Sequence, residues 1–212
     1  MTDTSPSPQR APLWGWTSEG WGIVIAVSVG VGTMVGLILA NVGIDEEGYG
    51  LAIRSTARTT LIFFLIAYLA SPLMRLSGGN WARGLLRNRR YWGVGAAISH
   101  AFHFVLIWAL MDKFYDGDWI AASGLTTVIF GGLGFAFFFA MALTSTNGWI
   151  RRLGPKNWRL LHTLGLHYIW AIFTGTLLLG QLAEGPQAIQ AFEIAALVIA
   201  LGIRLVAQRE SR

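Results

Sequence analysis

The chain has 212 residues, of which 54% are hydrophobic and 13% charged, with a formal net charge of +5. A soluble domain carries roughly 25% charged residues, so this balance excludes an ordinary water-soluble globule. There is no cysteine, which excludes disulfides, thiol redox chemistry and iron–sulfur clusters held by cysteine.

Residues 1–20 are rich in Ser, Thr and Pro and read as a disordered cytoplasmic tail. The apolar run that follows is too long for the core of a signal peptide. Six runs are predicted to span a membrane, over residues 21–41, 55–73, 91–111, 120–143, 158–180 and 188–206. Each is close to the ~20 apolar residues that an α-helix needs to cross the hydrocarbon core. The second is the least clean, with Arg54 and Arg58 at its start. Residues 208–212 form a short cytoplasmic tail. The expected fold is all-α: an integral membrane bundle of six transmembrane helices over residues 21–207. The runs are continuously apolar, whereas a β-barrel needs short alternating strands.

Charge sets the expected orientation. With the N-terminus inside, Arg10, the 74–90 loop (Arg75, Arg83, Arg87, Arg89, Arg90), the 144–157 loop with Arg159 beyond it, and the C-terminal Arg204, Arg209 and Arg212 all face the cytoplasm. Thirteen of the sixteen basic residues then lie inside, and only Arg54, Arg58 and Lys113 outside. This satisfies the positive-inside rule and puts both termini in the cytoplasm. The basic balance therefore reflects orientation and anionic lipid rather than nucleic acid, and the bilayer is the expected surrounding. Two glycine groups, Gly30/Gly32/Gly36 and Gly131/Gly132/Gly134, are expected to permit close helix packing. Neither follows a strand, so neither is a nucleotide loop. The ten tryptophans read mostly as interface anchors.

The chain has four histidines, His100, His103, His162 and His167, paired on the third and fifth spans. Ionisable side chains inside a bilayer are costly and mark functional sites. One such histidine alone can simply hydrogen-bond a neighbouring helix. Two pairs on two spans point instead to a prosthetic group, because facing helices that each offer imidazole can clamp an iron-porphyrin. Zinc is a weaker reading, since no carboxylate or thiolate accompanies the imidazoles. Counted from Arg90, His100 lies ~15 Å and His103 ~20 Å along its helix. Counted from Arg159, His162 lies ~5 Å and His167 ~12 Å along its own. Depth thus favours His100 or His103 opposite His167. The short spacing within each pair argues for one haem rather than two. Arg58 or Arg54, near the outer edge, could meet its propionates.

Several short motifs carry a resemblance. Thr144-Ser145-Thr146, Arg152-Leu153-Gly154, Trp158 and Leu161-His162 are similar to the loop between the fourth and fifth helices of the ferric reductase-like transmembrane domain. Arg89-Arg90, Gly93 and His103 resemble its third helix, and Thr56-Ala57-Arg58-Thr59 with Ser71-Pro72-Leu73 its second. The resemblance covers roughly residues 45–206 and is greatest to the MsrQ-type haem-binding membrane subunits. It implies His103 and His162 as haem ligands and Arg58 as a basic position near the outer haem edge. It also implies a second histidine thirteen residues after the first on the fifth helix, where this chain has Gly175. His100 and His167 are extra by that pattern, and His167 can replace the missing ligand.

What the resemblance implies is electron transfer across a bacterial inner membrane. Haem b would receive electrons from a cytoplasmic flavin reductase, FMN or quinol donor and pass them to a periplasmic redox partner. No αβ segment carries a dinucleotide fold here, so a separate donor is expected. The alternatives are a metal-ion or small-solute transporter that uses the histidines as a transient site, and a structural membrane subunit without cofactor.

Overall fold

A computed structural model describes residues 20–210. The tail expected over residues 1–20 lies, apart from Gly20, outside the described residues, as do residues 211–212. Among the described residues seven helices follow in order: α1 (Trp21–Val42), α2 (Glu46–Ser77), α3 (Asn80–Phe114), α4 (Trp119–Ser123), α5 (Leu125–Leu143), α6 (Asn147–Glu184) and α7 (Ala188–Arg209). There is no strand among the described residues. All but the five-residue α4 are long and apolar enough to cross a membrane. The expected all-α bundle of six spanning helices is therefore what the chain forms.

The helix ends follow local chemistry. Asp45 caps α2 by accepting from the Gly48 N–H at 2.9 Å, and Glu46 and Glu47 occupy the first turn, where the helix dipole favours negative charge. Gly78 closes α2 in the left-handed conformation, with Arg75 in the last turn. Asp118 caps α4, and Gly124, at φ 77°, separates α4 from α5. Gly154 breaks α6 at φ 77° and ψ 152°, and Pro155 restarts it, where its missing N–H costs nothing.

The expected loops turn out largely helical. α2 and α3 run on until only Gly78 and Gly79 separate them, and most of the 144–157 segment belongs to α6. Hydropathy reads only the part of a helix that sits in hydrocarbon. The arginines that end an apolar run are themselves good helix formers, so the helices continue into the interface. The 120–143 span is correspondingly split at Gly124.

Packing follows a ring. α3 packs on α5, α5 on α6, α6 on α7, α7 on α2 and α2 on α3, while α1 lies outside against α2 and α3. α3 and α6 thus both flank α5 and have no extensive contact with each other. The interior is filled by Leu61, Phe64, Tyr68, Ala96, Ala97, Phe138, Leu166, Ile169, Leu197 and Ala200. Large apolar side chains such as Ile25, Val29, Val105, Phe192 and Ile199 point outward, as lipid-facing residues must. At the acidic end, Lys113 donates to the Ile44 carbonyl at 2.9 Å and Tyr115 to Glu46, which ties the end of α3 to the α1–α2 turn.

Lipid gives helices no hydrophobic reason to associate, so close contact needs small residues. The expected glycines are mostly not the ones used. Gly30, Gly36, Gly131, Gly132 and Gly134 have open space where a Cβ would stand, and only Gly32 of the six meets a neighbour, the Phe102 ring. Gly95 and Gly165 do the work instead. A Cβ on Gly95 would lie 3.3 Å from Val27, and one on Gly165 would lie 2.7 Å from the Met141 sulfur. Spacing alone does not reveal which face of a helix looks at protein.

Pro72 inside α2 explains one arginine. It has no N–H, so the Tyr68 carbonyl four residues earlier loses its helical donor. Arg204 of α7 replaces it, donating Nη1 to that carbonyl at 3.2 Å with its guanidinium 4.7 Å above the Tyr68 ring. Arg89 of α3 donates Nε to the adjacent Ala67 carbonyl at 3.2 Å. R204A should destabilise the bundle by about 1–3 kcal/mol, the cost of leaving a buried carbonyl unpaired. In a P72A background the loss should shrink, because the new N–H restores the helical bond. Thermal unfolding of the four proteins in detergent measures that coupling.

Candidate functional site

The α3 histidines sit together on the ring's inner side. His100 and His103 stack at 5.2 Å with their planes 13° apart. His103 places Nδ1 3.0 Å from the Ile53 carbonyl oxygen and 3.3 Å from Thr56 Oγ1. A carbonyl only accepts, so Nδ1 carries the hydrogen and Nε2 keeps its lone pair. The His100 ring lies 4.2 Å from Phe135 and 4.4 Å from Phe138. Its Nδ1 is buried with no hydrogen-bond partner among the described residues. Buried polar atoms without partners are rare enough to need a reason, such as a bound group.

On α6, His167 donates Nδ1–H to the Thr163 carbonyl one turn earlier at 2.7 Å. It shares the tautomer of His103, and no protein hydrogen bond engages Nε2 of either ring among the described residues. Its ring meets Tyr68 edge-on at 6.4 Å. His162 is held differently. Its Nε2 lies 3.0 Å from Thr144 Oγ1. That hydroxyl already donates to the Ala140 carbonyl at 2.6 Å, so Nε2 is the donor to it. Trp158 stacks on the His162 ring at 4.2 Å and donates its indole N–H to the Thr144 carbonyl at 2.8 Å. The turn after α5 and the first turn of α6 beyond Pro155 thus clamp this imidazole.

α5 touches both histidine helices and serves as a common scale of depth. His100 and His103 meet Phe135, and His100 also meets Phe138. Tyr168, next to His167, meets Phe137, whereas His162 meets Thr144. His162 therefore lies about two turns, or ~11 Å, nearer the basic end than the other three. Against α2 the spread is wider, with His103 beside Thr56 and His167 beside Tyr68. The helices cross rather than run parallel. Both scales put His103 nearer the acidic end than His167, and α5 puts His162 nearest the basic end. No imidazole of α3 stacks on one of α6; Phe64, Phe138 and Tyr68 stand between them.

A cavity of about 360 Å³ opens beside His162. Its body is apolar, with Phe64, Ala96, Phe138, Met141 and Leu166, and its mouth carries Arg87, Arg89 and Arg90. Arg58 lies elsewhere. It forms an ion pair with Glu193 of α7, Nε to Oε1 at 3.1 Å, and the carboxylate side chain is 11% exposed. Arg54 is exposed. Among the described residues no three His, Asp or Glu side chains gather around a point where they could hold a bare metal ion.

The partners of Glu193, Arg204 and Thr144 were not foreseen from the sequence. The signal for the first two was present, since each is an ionisable residue inside the last apolar span. Nothing in the sequence marks Thr144 as the partner of His162 beyond its place in a motif.

A six-span helical membrane protein with imidazoles on two inward-facing helices of a ring is the class defined by fold and site. A family model described as ferric reductase like transmembrane component matches residues 54–175, which include all four histidines and Arg58, and the chain belongs to that family. The chain is also similar to heme-binding subunits MsrQ of protein-methionine-sulfoxide reductase. It is 38% identical to that of Ralstonia nicotianae over 129 residues, covering 55% of this chain and 57% of the relative. It is 34% identical to that of Herminiimonas arsenicoxydans over 128 residues, covering 55% and 56%. It is 34% identical to that of Bordetella parapertussis over 145 residues, covering 62% and 66%. The matches thus span little more than half the length of the first two relatives. No solved structure matches the chain.

The half-buried ion pair supplies a test of the α2–α7 contact. R58M alone leaves the Glu193 carboxylate without its counter-charge and should lower the unfolding temperature in detergent. R58M with E193M should recover most of the loss, as apolar replacement of both partners of a buried pair commonly does.

Proposed function

We propose that this protein holds one haem b between α3 and α6 and carries electrons across a bacterial inner membrane. The donor is a cytoplasmic flavin reductase or a quinol, and the acceptor is a periplasmic redox partner. The observation that carries the reading is the matched state of His103 and His167. Each donates Nδ1–H to a backbone carbonyl and keeps Nε2 open. That is how imidazole ligands of metals are commonly oriented. The relatives named as heme-binding subunits support the same reading.

The residues present suit a porphyrin. A porphyrin supplies four nitrogens itself, so the protein need add only axial imidazoles. When bound, haem supplies a one-electron ferric–ferrous couple whose potential the axial ligands set. His103 and His167 would hold it. Phe64 and Phe138 would keep water from it, whereas Arg89 and Arg90 at the mouth of the His162 cavity would meet its carboxylates in the second pairing below. Both termini are assigned to the cytoplasm, with the basic helix ends on that side.

A second pairing, His103 with His162, follows the family resemblance and gains from the cavity beside His162. A transporter finds less support, because the ring interior is packed with apolar side chains rather than lined with polar ones.

One spectrum tests the proposal. Detergent-purified protein should show a Soret band and a reduced-minus-oxidised haem b difference spectrum, and a colourless protein overturns it. H103A and H167A should each lose most of that signal while H100A keeps it. If H162A loses it and H167A does not, the second pairing stands in place of the first.

A further inference from the structure

We infer that Thr56 is a positioning residue for His103, fixing the imidazole as a ligand and strengthening it as a donor. This rests on the haem reading above. Thr56 is fully buried between α2 and α3. Its Oγ1 lies 2.9 Å from both the Ala52 and Ile53 carbonyls, so its one proton is committed to its own helix. The oxygen can then offer His103 Nδ1 only a lone pair, at 3.3 Å. The Ile53 carbonyl offers a second acceptor at 3.0 Å. Two acceptors and no donor face Nδ1. The hydrogen is held there, the ring cannot switch tautomer, and the Nε2 lone pair is directed away from α2. Acceptors on Nδ1–H also raise the electron density that imidazole gives a metal, which favours the ferric state.

A neighbour provides the control. Thr60 is equally buried in the same seam, but its hydroxyl bonds Ser99 at 2.9 Å and the Thr56 carbonyl at 2.8 Å and touches no histidine. A general need for hydroxyls between α2 and α3 would make the two threonines equivalent. A role directed at His103 separates them.

The experiment compares T56V, T56S and T60V with the unaltered protein. Each is read by haem retention, by midpoint potential in a spectroelectrochemical titration and by the low-spin ferric electron paramagnetic resonance spectrum. T56V should raise the midpoint potential, alter the low-spin signal and weaken haem retention about tenfold, the lower end of the effect typical of such outer partners. T56S, which keeps the oxygen, should restore all three, and T60V should change none. T56V that matches the unaltered protein in potential and spectrum overturns the inference while the haem reading stands. So does T60V producing the same shifts as T56V. Absence of haem from the unaltered protein overturns both.

Discussion

The lipid interior offers no water to satisfy a backbone or side-chain polar group, and the rest of this structure follows from that constraint. Helices are the local answer, and they account for all regular structure among the described residues. Each departure from a regular helix then needs a named partner. Pro72 releases the Tyr68 carbonyl, and Arg204 reaches across from α7 to take it. Arg58 and Glu193 neutralise each other between α2 and α7. Hydroxyls of Thr56, Thr60 and Ser99 bond to backbone and to one another in the α2–α3 seam. The charged residues inside these spans are thus largely structural ties. The histidines stand apart, because each keeps a nitrogen that this bonding among the described residues does not use.

That contrast guides the functional reading. His162 is engaged through Nε2 by Thr144 and covered by Trp158, whereas His103 and His167 are engaged only through Nδ1. The ring arrangement sets α3 and α6 on either side of α5 without direct packing between them, so the space between their histidines is held by aromatic rings rather than backbone. The basic cavity mouth lies at the same end as the clusters of arginine that set membrane orientation.

The spans were legible because twenty apolar residues in a row have few other uses. The helix ends were not, since hydropathy falls at the edge of the hydrocarbon while hydrogen bonding continues to Gly78 or Phe114. The paired histidines stood out as a candidate site from rarity alone. Their heights were only partly so. Counting from Arg90 and Arg159 put His162 nearest the basic end, which agrees with its place beside Thr144, but it took no account of helix crossing. The glycines failed for a related reason: Gly95 and Gly165 look no different in sequence from Gly131, and only the packing partner distinguishes them. Glu193 and Arg204 were visible as oddities and could have been paired with Arg58 and Pro72 only once α7 was known to lie on α2.

The two-residue connection between α2 and α3 has a bearing on the site. With only Gly78 and Gly79 between them, these long helices form an antiparallel hairpin, whose contacts widen from the turn to the 50 residues that separate Ile53 from His103. The hairpin contains His103 and both acceptors of its Nδ1–H. The orientation of that imidazole is therefore set within one hairpin and needs no residue of α6.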